Sequence, residues 1–210
     1  MIVAVLGATG RTGKPLVEAL VRRGHHVRAL VRDPAKLSAP GEHVTVVTGD
    51  SRDPEALAVL LEGADAVVSA LGPTSREGDL HTRTAEALVE AMGSAGISRF
   101  VGVSGAGIDI PGDQKSTSGK VISRLIQTFG GDVVKDKPAE YLVYAASGLD
   151  WTLVRPPRLV DGDATGNLEH DAHRSTRSTR ITRADLAEFL VDCLEQDLYP
   201  RQAPFIATES

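Results

Sequence analysis

The stretch Gly7-Ala8-Thr9-Gly10-Arg11-Thr12-Gly13 decides the fold of this chain. An unbroken apolar run from Ile2 to Leu6 stands directly before it, and apolar residues at helical spacing follow it. A strand, a glycine turn and a helix in this order form the context in which such glycines bind the phosphates of a nucleotide. The alternative is that the glycines only shape a turn. We predict a dinucleotide-binding loop.

The glycines of this loop have separate physical roles. One permits the tight turn, one lets the backbone approach the pyrophosphate, and one lets the helix and the strand pack closely. The free N–H groups at the start of the helix, with the positive end of its dipole, then face the phosphates. The hydroxyl of Thr12 is a further candidate donor. The residues expected to contact the cofactor here are Gly7, Thr9, Gly10, Arg11, Thr12 and Gly13.

Composition and charge are those of a soluble globular protein. The 210 residues suffice for one domain with a substantial core, and 41% of them are hydrophobic and 24% charged. A net charge of -5 and a pI near 5.7 give no electrostatic case for nucleic acid or an anionic membrane as partner. The single cysteine, Cys193, excludes an internal disulfide and lies in an apolar stretch typical of a core residue. Met1 leads straight into the first strand, so we expect a cytoplasmic protein without a signal peptide, monomeric or homodimeric.

Strand-like and helix-like segments alternate through the first two-thirds of the chain, a pattern that predicts a parallel sheet with helices on both faces. The predicted strands lie at 2–6, 27–31, 44–47, 66–70, 100–103 and 151–154. One predicted helix runs over 80–95 and is closed by Gly96, and another runs over 183–195 and is capped by Thr182. The fold class is α/β, a Rossmann-like doubly wound sheet in three layers, with residues 1–210 as one domain.

Two stretches, 105–132 and 156–181, interrupt the alternation and are predicted to lie on the substrate side. In the first, Lys120 to Phe129 has apolar residues at helical spacing beyond the carboxyl edge of the sheet, where ligands bind in open α/β sheets. This segment is either a wall of the substrate pocket or an ordinary helix covering the sheet. In the second, Asp161 to Arg180 is hydrophilic, and we expect short strands or loops.

Arg32 ends the second predicted strand, nineteen residues beyond Gly13. At this position dinucleotide folds read the adenine ribose: a carboxylate binds the 2′-hydroxyl of NAD, and an arginine accommodates the 2′-phosphate of NADP. Lys36 and Arg11 add positive charge at the same corner, and guanidinium–phosphate pairs are strong. The alternative is that Asp33 recognises the adenine ribose, although it precedes a proline and has the pattern of a helix cap. We predict NADP(H) as the cofactor.

Together these motifs resemble the atypical short-chain dehydrogenase/reductase group that includes NmrA-like proteins, NADH-flavin reductases and biliverdin-IXβ/flavin reductases. The resemblance extends over nearly the whole chain and is carried, after the glycine loop, by the motifs Leu30-Val31-Arg32-Asp33, Gly49-Asp50, Ala70-Leu71-Gly72, Val103-Ser104, Ser147-Gly148-Leu149-Asp150-Trp151, Arg155-Pro156-Pro157 and Ile181-Thr182-Arg183-Ala184-Asp185-Leu186-Ala187.

The resemblance implies roles for residues on the cofactor side. Asp50 would meet the adenine amino group, with Ser51 beside it. The path toward the nicotinamide ribose would be lined by Ala70, Leu71 and Gly72.

The resemblance also implies roles near the reacting atoms. Ser104 takes the position of the family's active-site serine, and Pro156 and Pro157 would lie where the nicotinamide carboxamide meets the backbone. Asp136 falls on a family motif position and, with Arg158 after the prolines, is a candidate to face the acceptor.

One family feature is absent. Most short-chain dehydrogenases carry Tyr-x-x-x-Lys, in which the lysine helps the tyrosine to act as a general acid/base. Here Lys137 has Val133 four residues before it, and Tyr141 and Tyr144 are expected to pack rather than to donate protons. The absence disfavours alcohol or ketone chemistry. It favours hydride transfer to flavin-, quinone- or biliverdin-like acceptors, with a proton from solvent.

The remaining polar residues give weaker signals. Asp136 and Glu140 lie four apart on one helix face, so we expect solvated carboxylates there despite the motif position of Asp136. His25 and His26 lie at a helix–strand turn and are expected to be exposed. His170 and His173 have carboxylates nearby in Glu169 and Asp171, but a metal site there would need a convergence that the spacing does not show, and we predict none.

Three functional hypotheses follow from these patterns. The leading one is an NADPH-dependent reductase of a small conjugated or aromatic acceptor, in which Ser104 orients or protonates that acceptor. The second is an NADP(H)-binding redox sensor of the NmrA type that signals without turnover. The third is an isomerase or a biosynthetic tailoring enzyme.

Overall fold

A computed structural model describes residues 1–37, 41–72, 78–115 and 131–209, with side chains except at 131–135. In chain order its elements are β1 (Ile2–Leu6), α1 (Gly13–Arg22), β2 (His26–Val31), a 3₁₀ helix (Pro34–Lys36), β3 (Val44–Thr48), α2 (Pro54–Leu61), β4 (Ala66–Ser69), α3 (Leu80–Ala95), β5 (Arg99–Val103), α4 (Gly131–Ala146), β6 (Asp150–Val154), β7 (Arg158–Val160), β8 (Leu168–Asp171), β9 (Arg180–Thr182), α5 (Arg183–Glu195) and β10 (Phe205–Thr208).

A six-stranded sheet in the order β3-β2-β1-β4-β5-β6 forms the middle of the molecule. Every neighbouring pair in it is parallel. The chain moves outward from β1 through β2 to β3 and then crosses to β4, so the direction of strand order reverses between β1 and β4. Ligands bind at such a reversal, beyond the carboxyl ends of the strands. The Rossmann-like prediction is confirmed, and the glycine loop leaves β1 at this point.

Alternate residues of β1 belong to opposite layers of the core. Val3 and Val5 pack in a cluster with apolar residues of α1 and α5, whereas Ala4 and Leu6 pack with residues of α2, α3 and α4. All four side chains are fully buried. A parallel strand covered on both faces needs apolar residues at every position, which explains why the first strand is an unbroken apolar run.

Local capping signals set the ends of several helices. The side chain of Asp53 accepts from the backbone N–H of Glu55 at the start of α2, and that of Thr182 accepts from Asp185 at the start of α5. Gly96 closes α3 in the left-handed conformation that favours glycine. The bounds predicted for α3 and α5 agree with the structure because these signals lie within a few residues of the helix ends.

In the second half of the chain, one prediction is not tested and one strand was not foreseen. The helix-like segment from Lys120 to Phe129 lies outside the described residues, and α4 is described from Gly131 onward. Strand β10 was not predicted, and it pairs antiparallel with β8. The short strands expected in the hydrophilic stretch are present as β7, β8 and β9. In the described ranges, none of the helices is long and apolar enough to cross a membrane.

Candidate functional site

The glycine loop packs tightly against its surroundings. Gly7 has φ +76°, and a Cβ there would lie 2.7 Å from the backbone of Ala70 at the end of β4. A Cβ on Gly13 would lie 2.0 Å from the carbonyl oxygen of Gly7. Any side chain at either position would therefore force the backbone apart. The loop itself is closed by a hydrogen bond of 2.9 Å from the N–H of Gly10 to the carbonyl of Gly7.

The start of α1 suits an anion such as a pyrophosphate. Thr12 is the N-cap residue, but its hydroxyl makes no capping hydrogen bond within the described structure. The first turn of α1 carries no acidic side chain that would compete with a phosphate. The N–H groups and the dipole of a ten-residue helix thus point out of the loop with an unused hydroxyl beside them. These residues fit a dinucleotide.

A cleft opens beside the loop, at the carboxyl ends of β1, β2 and β3. It brings together six of the residues predicted from the sequence, Gly7, Thr9, Arg32, Asp50, Ser51 and Leu71, and is completed by Leu6, Leu30, Val31, Gly49 and Leu80. As far as the structure describes it, the lining includes neither Arg11 nor Lys36. The cleft has an apolar floor and a polar rim, which suits a nucleoside.

Arg32 and Asp33 follow β2 and have different structural roles. Arg32 is exposed and lines the cleft. The carboxylate of Asp33 accepts from the N–H of Ala35 at 3.1 Å and so caps the 3₁₀ helix, as predicted. Lys36 lies 3.8 Å from the same carboxylate. Of these three residues, Arg32 is the one directed at the cleft.

Arg11 points toward the substrate-side segment. Its guanidinium donates to Asp161, in the connection between β7 and β8, at 2.6 Å, and both side chains are 70% exposed. Arg183 donates to the other oxygen of Asp161, also at 2.6 Å. The hydrogen bond from Arg11, with the charge of both guanidinium groups, lowers the pKa of Asp161. Thus Arg11 joins the glycine loop to the β7–β8 connection.

Asp50 is held ionised at the rim of the cleft. The backbone N–H, Nε and Nη2 of Arg52 donate to its carboxylate at 3.0, 2.8 and 3.0 Å. The side-chain hydrogen bond from Arg52 is the main cause of the lowered pKa of Asp50, and Arg32 adds to it. Next to it the buried hydroxyls of Ser51 and Thr84 are 2.8 Å apart. An ionised carboxylate is an acceptor only, as an adenine amino group requires.

Ser104 follows β5 on the same edge of the sheet. Its N–H donates to the carbonyl of Val154 at 2.8 Å, which joins the ends of β5 and β6. Its Oγ is buried and has no hydrogen-bond partner among the described residues. Pro156, at the end of β6, is buried and accepts from the N–H of Ala106 at 3.1 Å. The next two residues lie nearer the surface: Pro157 is half-buried and Arg158 is exposed.

A buried cluster around Lys137, not foreseen from the sequence, lies between α3, α4 and β5. The ammonium of Lys137 donates to Nδ1 of His81 at 2.9 Å, to the carbonyl of Val103 at 3.0 Å and to Glu140 at 2.8 Å. Since an ammonium has three N–H groups, all of its donors are used. We call His81, Lys137 and Glu140 the Lys137 cluster.

Burial dominates the titration of this cluster. Loss of solvent, with the nearby charge of Lys137, lowers the pKa of His81 from 6.5 to about 3. Burial raises the pKa of Glu140, against the opposing influence of Lys137. His81 is therefore neutral at physiological pH. Because its Nδ1 accepts from Lys137, its proton is on Nε2.

Asp136 has a defined structural task. Its two carboxylate oxygens accept from the backbone N–H groups of His81 and Thr82, at 2.7 and 2.9 Å, and from the Thr82 hydroxyl at 2.6 Å. It thereby caps the start of α3 from a neighbouring helix. The expectation that Asp136 and Glu140 are solvated was wrong: they are 4% and 7% exposed. The i, i+3 spacing of Lys137 and Glu140 was the signal in the sequence for an ion pair between them. The cluster also needs His81, which lies on another helix and far away in the sequence.

The tyrosines of α4 pack, as expected. Tyr144 is 2% exposed and stacks on Phe100 with ring centroids 4.3 Å apart. Burial raises its pKa well above the ordinary value. Tyr141 contacts Trp151 edge to face. A phenol that is this reluctant to ionise is a poor acid/base group, so Tyr144 does not replace the missing tyrosine.

The other sequence candidates lie away from the cleft. His26 is exposed as expected, but His25 is buried because its Nε2 contacts Glu195 of α5 at 2.8 Å. Cys193 is fully buried, as predicted for a core residue, and burial raises its pKa to about 12. His170, in β8, contacts the Tyr199 hydroxyl at 2.6 Å.

Comparison with known proteins places the chain in a family. Residues 7–197 match the family model described as NAD(P)H-binding. This chain belongs to the NAD(P)H-binding family. Since the match begins at the glycine loop and extends into the last helix, the family is established over most of the chain, and with it an NAD(P)(H) cofactor. The atypical short-chain dehydrogenase/reductase resemblance, NmrA-like proteins included, is confirmed.

Known proteins that are similar to this chain differ in how much of it they match. A chloroplastic protein of Arabidopsis thaliana is 31% identical over 93% of this chain and 72% of its own. A solved structure from Burkholderia pseudomallei is 33% identical, covers 99% of both chains and has a TM-score of 0.80. The 3-diazoavenalumate denitrifying reductase of Streptomyces is 39% identical over 48% of this chain and 36% of its own. At the coarse level, the chain is an oxidoreductase-like NAD(P)H-binding protein.

Proposed function

We propose that this protein is an NADPH-dependent reductase that transfers a hydride to a small conjugated or aromatic acceptor of the flavin, quinone or biliverdin type. The observation that carries the proposal is the position of Ser104. Its buried, unpartnered hydroxyl lies at the carboxyl end of β5, on the edge of the sheet where the glycine loop and the cleft also lie. A buried hydroxyl that has no hydrogen-bond partner, next to a cofactor cleft, can donate a hydrogen bond to an oxygen of the bound acceptor.

Preference for NADPH rests on Arg32. The exposed guanidinium stands at the end of β2 in the cleft, while Asp33, the residue that would read the 2′-hydroxyl of NAD, is occupied in capping. A guanidinium forms paired, charge-assisted hydrogen bonds with a phosphate. Arg11 is a second candidate for the phosphates once it leaves Asp161, and Lys36 is a third.

Each of the remaining residues has a proposed place along the cofactor. Asp50 would accept from the adenine amino group beside Ser51. The backbone of Ala70, Leu71 and Gly72 would lie along the nicotinamide ribose, and Pro156 and Pro157 would meet the carboxamide. When bound, the reduced nicotinamide supplies the hydride. Arg158 is the exposed cation available to an anionic acceptor.

Reduction of a conjugated acceptor suits the absence of a tyrosine–lysine pair. Hydride addition to such a system places charge on a stabilised oxygen or nitrogen, which solvent can protonate. No buried phenol of low pKa is then required. The likeness to a reductase of Streptomyces over 48% of the chain supports reduction as the reaction class.

One observation favours a second function, an NADP(H)-responsive regulator without turnover. The ammonium of Lys137 is fully bonded inside the protein and has no N–H left for a substrate or a catalytic tyrosine. A protein of this kind would bind NADPH and change its surface without oxidising it.

Oxidation of NADPH with a panel of FMN, quinones and biliverdin separates these functions. The reductase proposal predicts turnover with at least one acceptor and tighter binding of NADPH than of NADH. Tight NADPH binding with no turnover on any acceptor would contradict the reductase and support the regulator.

A further inference from the structure

Two buried polar atoms, in the first turn of α3 and directly after β5, lack a partner among the described residues: Nε2 of His81 and Oγ of Ser104. The residues are 2% and 8% exposed. Burying a donor without an acceptor costs free energy, so each such atom in a native structure calls for an explanation. Neither atom is explained by the packing of the core.

The two atoms belong to groups that meet at one ammonium. Nζ of Lys137 lies 2.9 Å from Nδ1 of His81 and 3.0 Å from the carbonyl of Val103, the residue directly before Ser104. Lys137 thus ties the first turn of α3 to the carboxyl end of β5. It holds the imidazole of His81 and the backbone of Ser104 in one small region.

Lys137 also determines which ring nitrogen of His81 carries the proton. Its ammonium can only donate, so Nδ1 of His81 accepts and Nε2 carries the proton. Glu140 fixes Lys137 at 2.8 Å, and Asp136 fixes the backbone N–H of His81 at 2.7 Å. The imidazole is therefore a neutral donor whose orientation is set by its contact with Lys137, which Glu140 in turn holds in place.

We propose that His81 Nε2–H and the Ser104 hydroxyl form a two-donor site for a carbonyl or imide oxygen of the conjugated acceptor. This inference rests on the proposed function and deepens it. A reduced nicotinamide, when bound, would supply the hydride to the conjugated system. The displaced electron pair would then move to the oxygen held by the two donors, and a solvent proton would neutralise it. Two neutral donors with an ammonium behind them stabilise that developing charge more than they stabilise the neutral carbonyl.

Two substitutions at His81 separate its two nitrogen atoms. His81→Asn retains an acceptor at the level of Nδ1 for Lys137 but is too short to place a donor at Nε2. His81→Gln reaches the Nε2 level with an amide donor but weakens the Lys137 contact. His25→Asn is the matched control, because His25 is also buried but precedes β2, at the opposite edge of the sheet.

Steady-state reduction of FMN and binding of NADPH are measured for each protein. We expect His81→Asn to raise the KM for FMN or lower kcat by about tenfold, the factor that one ordinary hydrogen bond provides, with the NADPH Kd unchanged. His81→Gln is expected to retain more activity than His81→Asn, although it unfolds at a lower temperature. Ser104→Ala should match His81→Asn.

The outcomes are distinguishable. Wild-type activity with unchanged kinetics in His81→Asn overturns the donor site and leaves the proposed function intact. A weakened NADPH affinity in His81→Asn also overturns it, since the histidine would then serve the cofactor. A wild-type protein that binds NADPH but reduces none of the acceptors overturns both proposals together. If His81→Asn does not fold, a tenfold loss in Ser104→Ala with His81→Gln partly active supports the site, and full activity in Ser104→Ala overturns it.

Discussion

Nζ of Lys137 lies 2.9 Å from Nδ1 of His81, although the two residues are 56 positions apart in the chain. This contact joins α4 to the start of α3 and fixes the protonation of a buried imidazole. The pKa of His81 falls to about 3, mainly because the ring has lost its solvent.

Stability should depend on pH through His81. Its pKa is lower in the folded state, about 3, than its ordinary value of 6.5, so the unfolded state binds more protons between these values. The contribution is fully present above pH 6.5 and is lost as the pH falls toward 3, by on the order of a few kcal/mol. Urea unfolding at several pH values should show a flatter profile for His81→Asn. An equally steep profile in His81→Asn would contradict this prediction.

Asp136→Ala should destabilise the protein by about 1–3 kcal/mol, because buried N–H groups of His81 and Thr82 lose their acceptor. The free energy of unfolding measures this, with exposed Asp163→Ala as the control that changes little. A catalytic role for Asp136 would instead appear as a large loss of kcat in Asp136→Asn at temperatures where that variant stays folded.

Arg32→Ala should weaken NADPH binding by roughly 10- to 100-fold, the range expected for a charge-assisted pair, and should leave NADH binding nearly unchanged. Titration calorimetry with both nucleotides measures the two affinities. Arg22→Ala is the control, because Arg22 lies in the last turn of α1, at the far end of that helix from the glycine loop. Equal NADPH affinity in Arg32→Ala and wild type would remove Arg32 from the site.

Asp161→Asn should strengthen NADPH binding by a few-fold at low salt. The substitution removes a carboxylate that holds Arg11 at 2.6 Å and frees the guanidinium for the phosphates. Because both side chains are exposed, the gain should shrink as the salt concentration rises. A gain that does not depend on salt would point to a conformational cause.

Cys193 should be inert toward thiol reagents in the folded protein. The thiol is fully buried in α5 and burial raises its pKa to about 12, so almost no thiolate is present near neutral pH. Labelling with a disulfide reagent should be slow in buffer and rapid in urea. Rapid labelling of the folded protein would show that α5 opens.

Features that depend on residues close together in the chain could be predicted from the sequence. The glycine loop, the cap at Thr182 and the closing Gly96 are local signals, and the corresponding elements lie where they were expected. The positions of Arg32 and Asp50 in the cleft could also be predicted from the sequence, because parallel strands bring their carboxyl ends to one edge of the sheet.

Contacts between distant segments were not predictable in this way. His25 and Asp136 have the local pattern of surface residues, and their burial depends on Glu195 and on the start of α3, which the chain supplies far away in sequence. The Lys137 cluster needs three elements at once. Strand β10 is a short apolar run whose partner, β8, is itself hydrophilic.

Anaerobic mixing of the NADPH complex with FMN, followed through the absorbance of both molecules, tests the central claim most directly. Hydride transfer predicts that NADPH and oxidised flavin disappear together at one rate, and that deuterium at the transferred position of NADPH slows both. A stable NADPH complex whose absorbance does not change with FMN, quinones or biliverdin would contradict the account of this protein as a reductase.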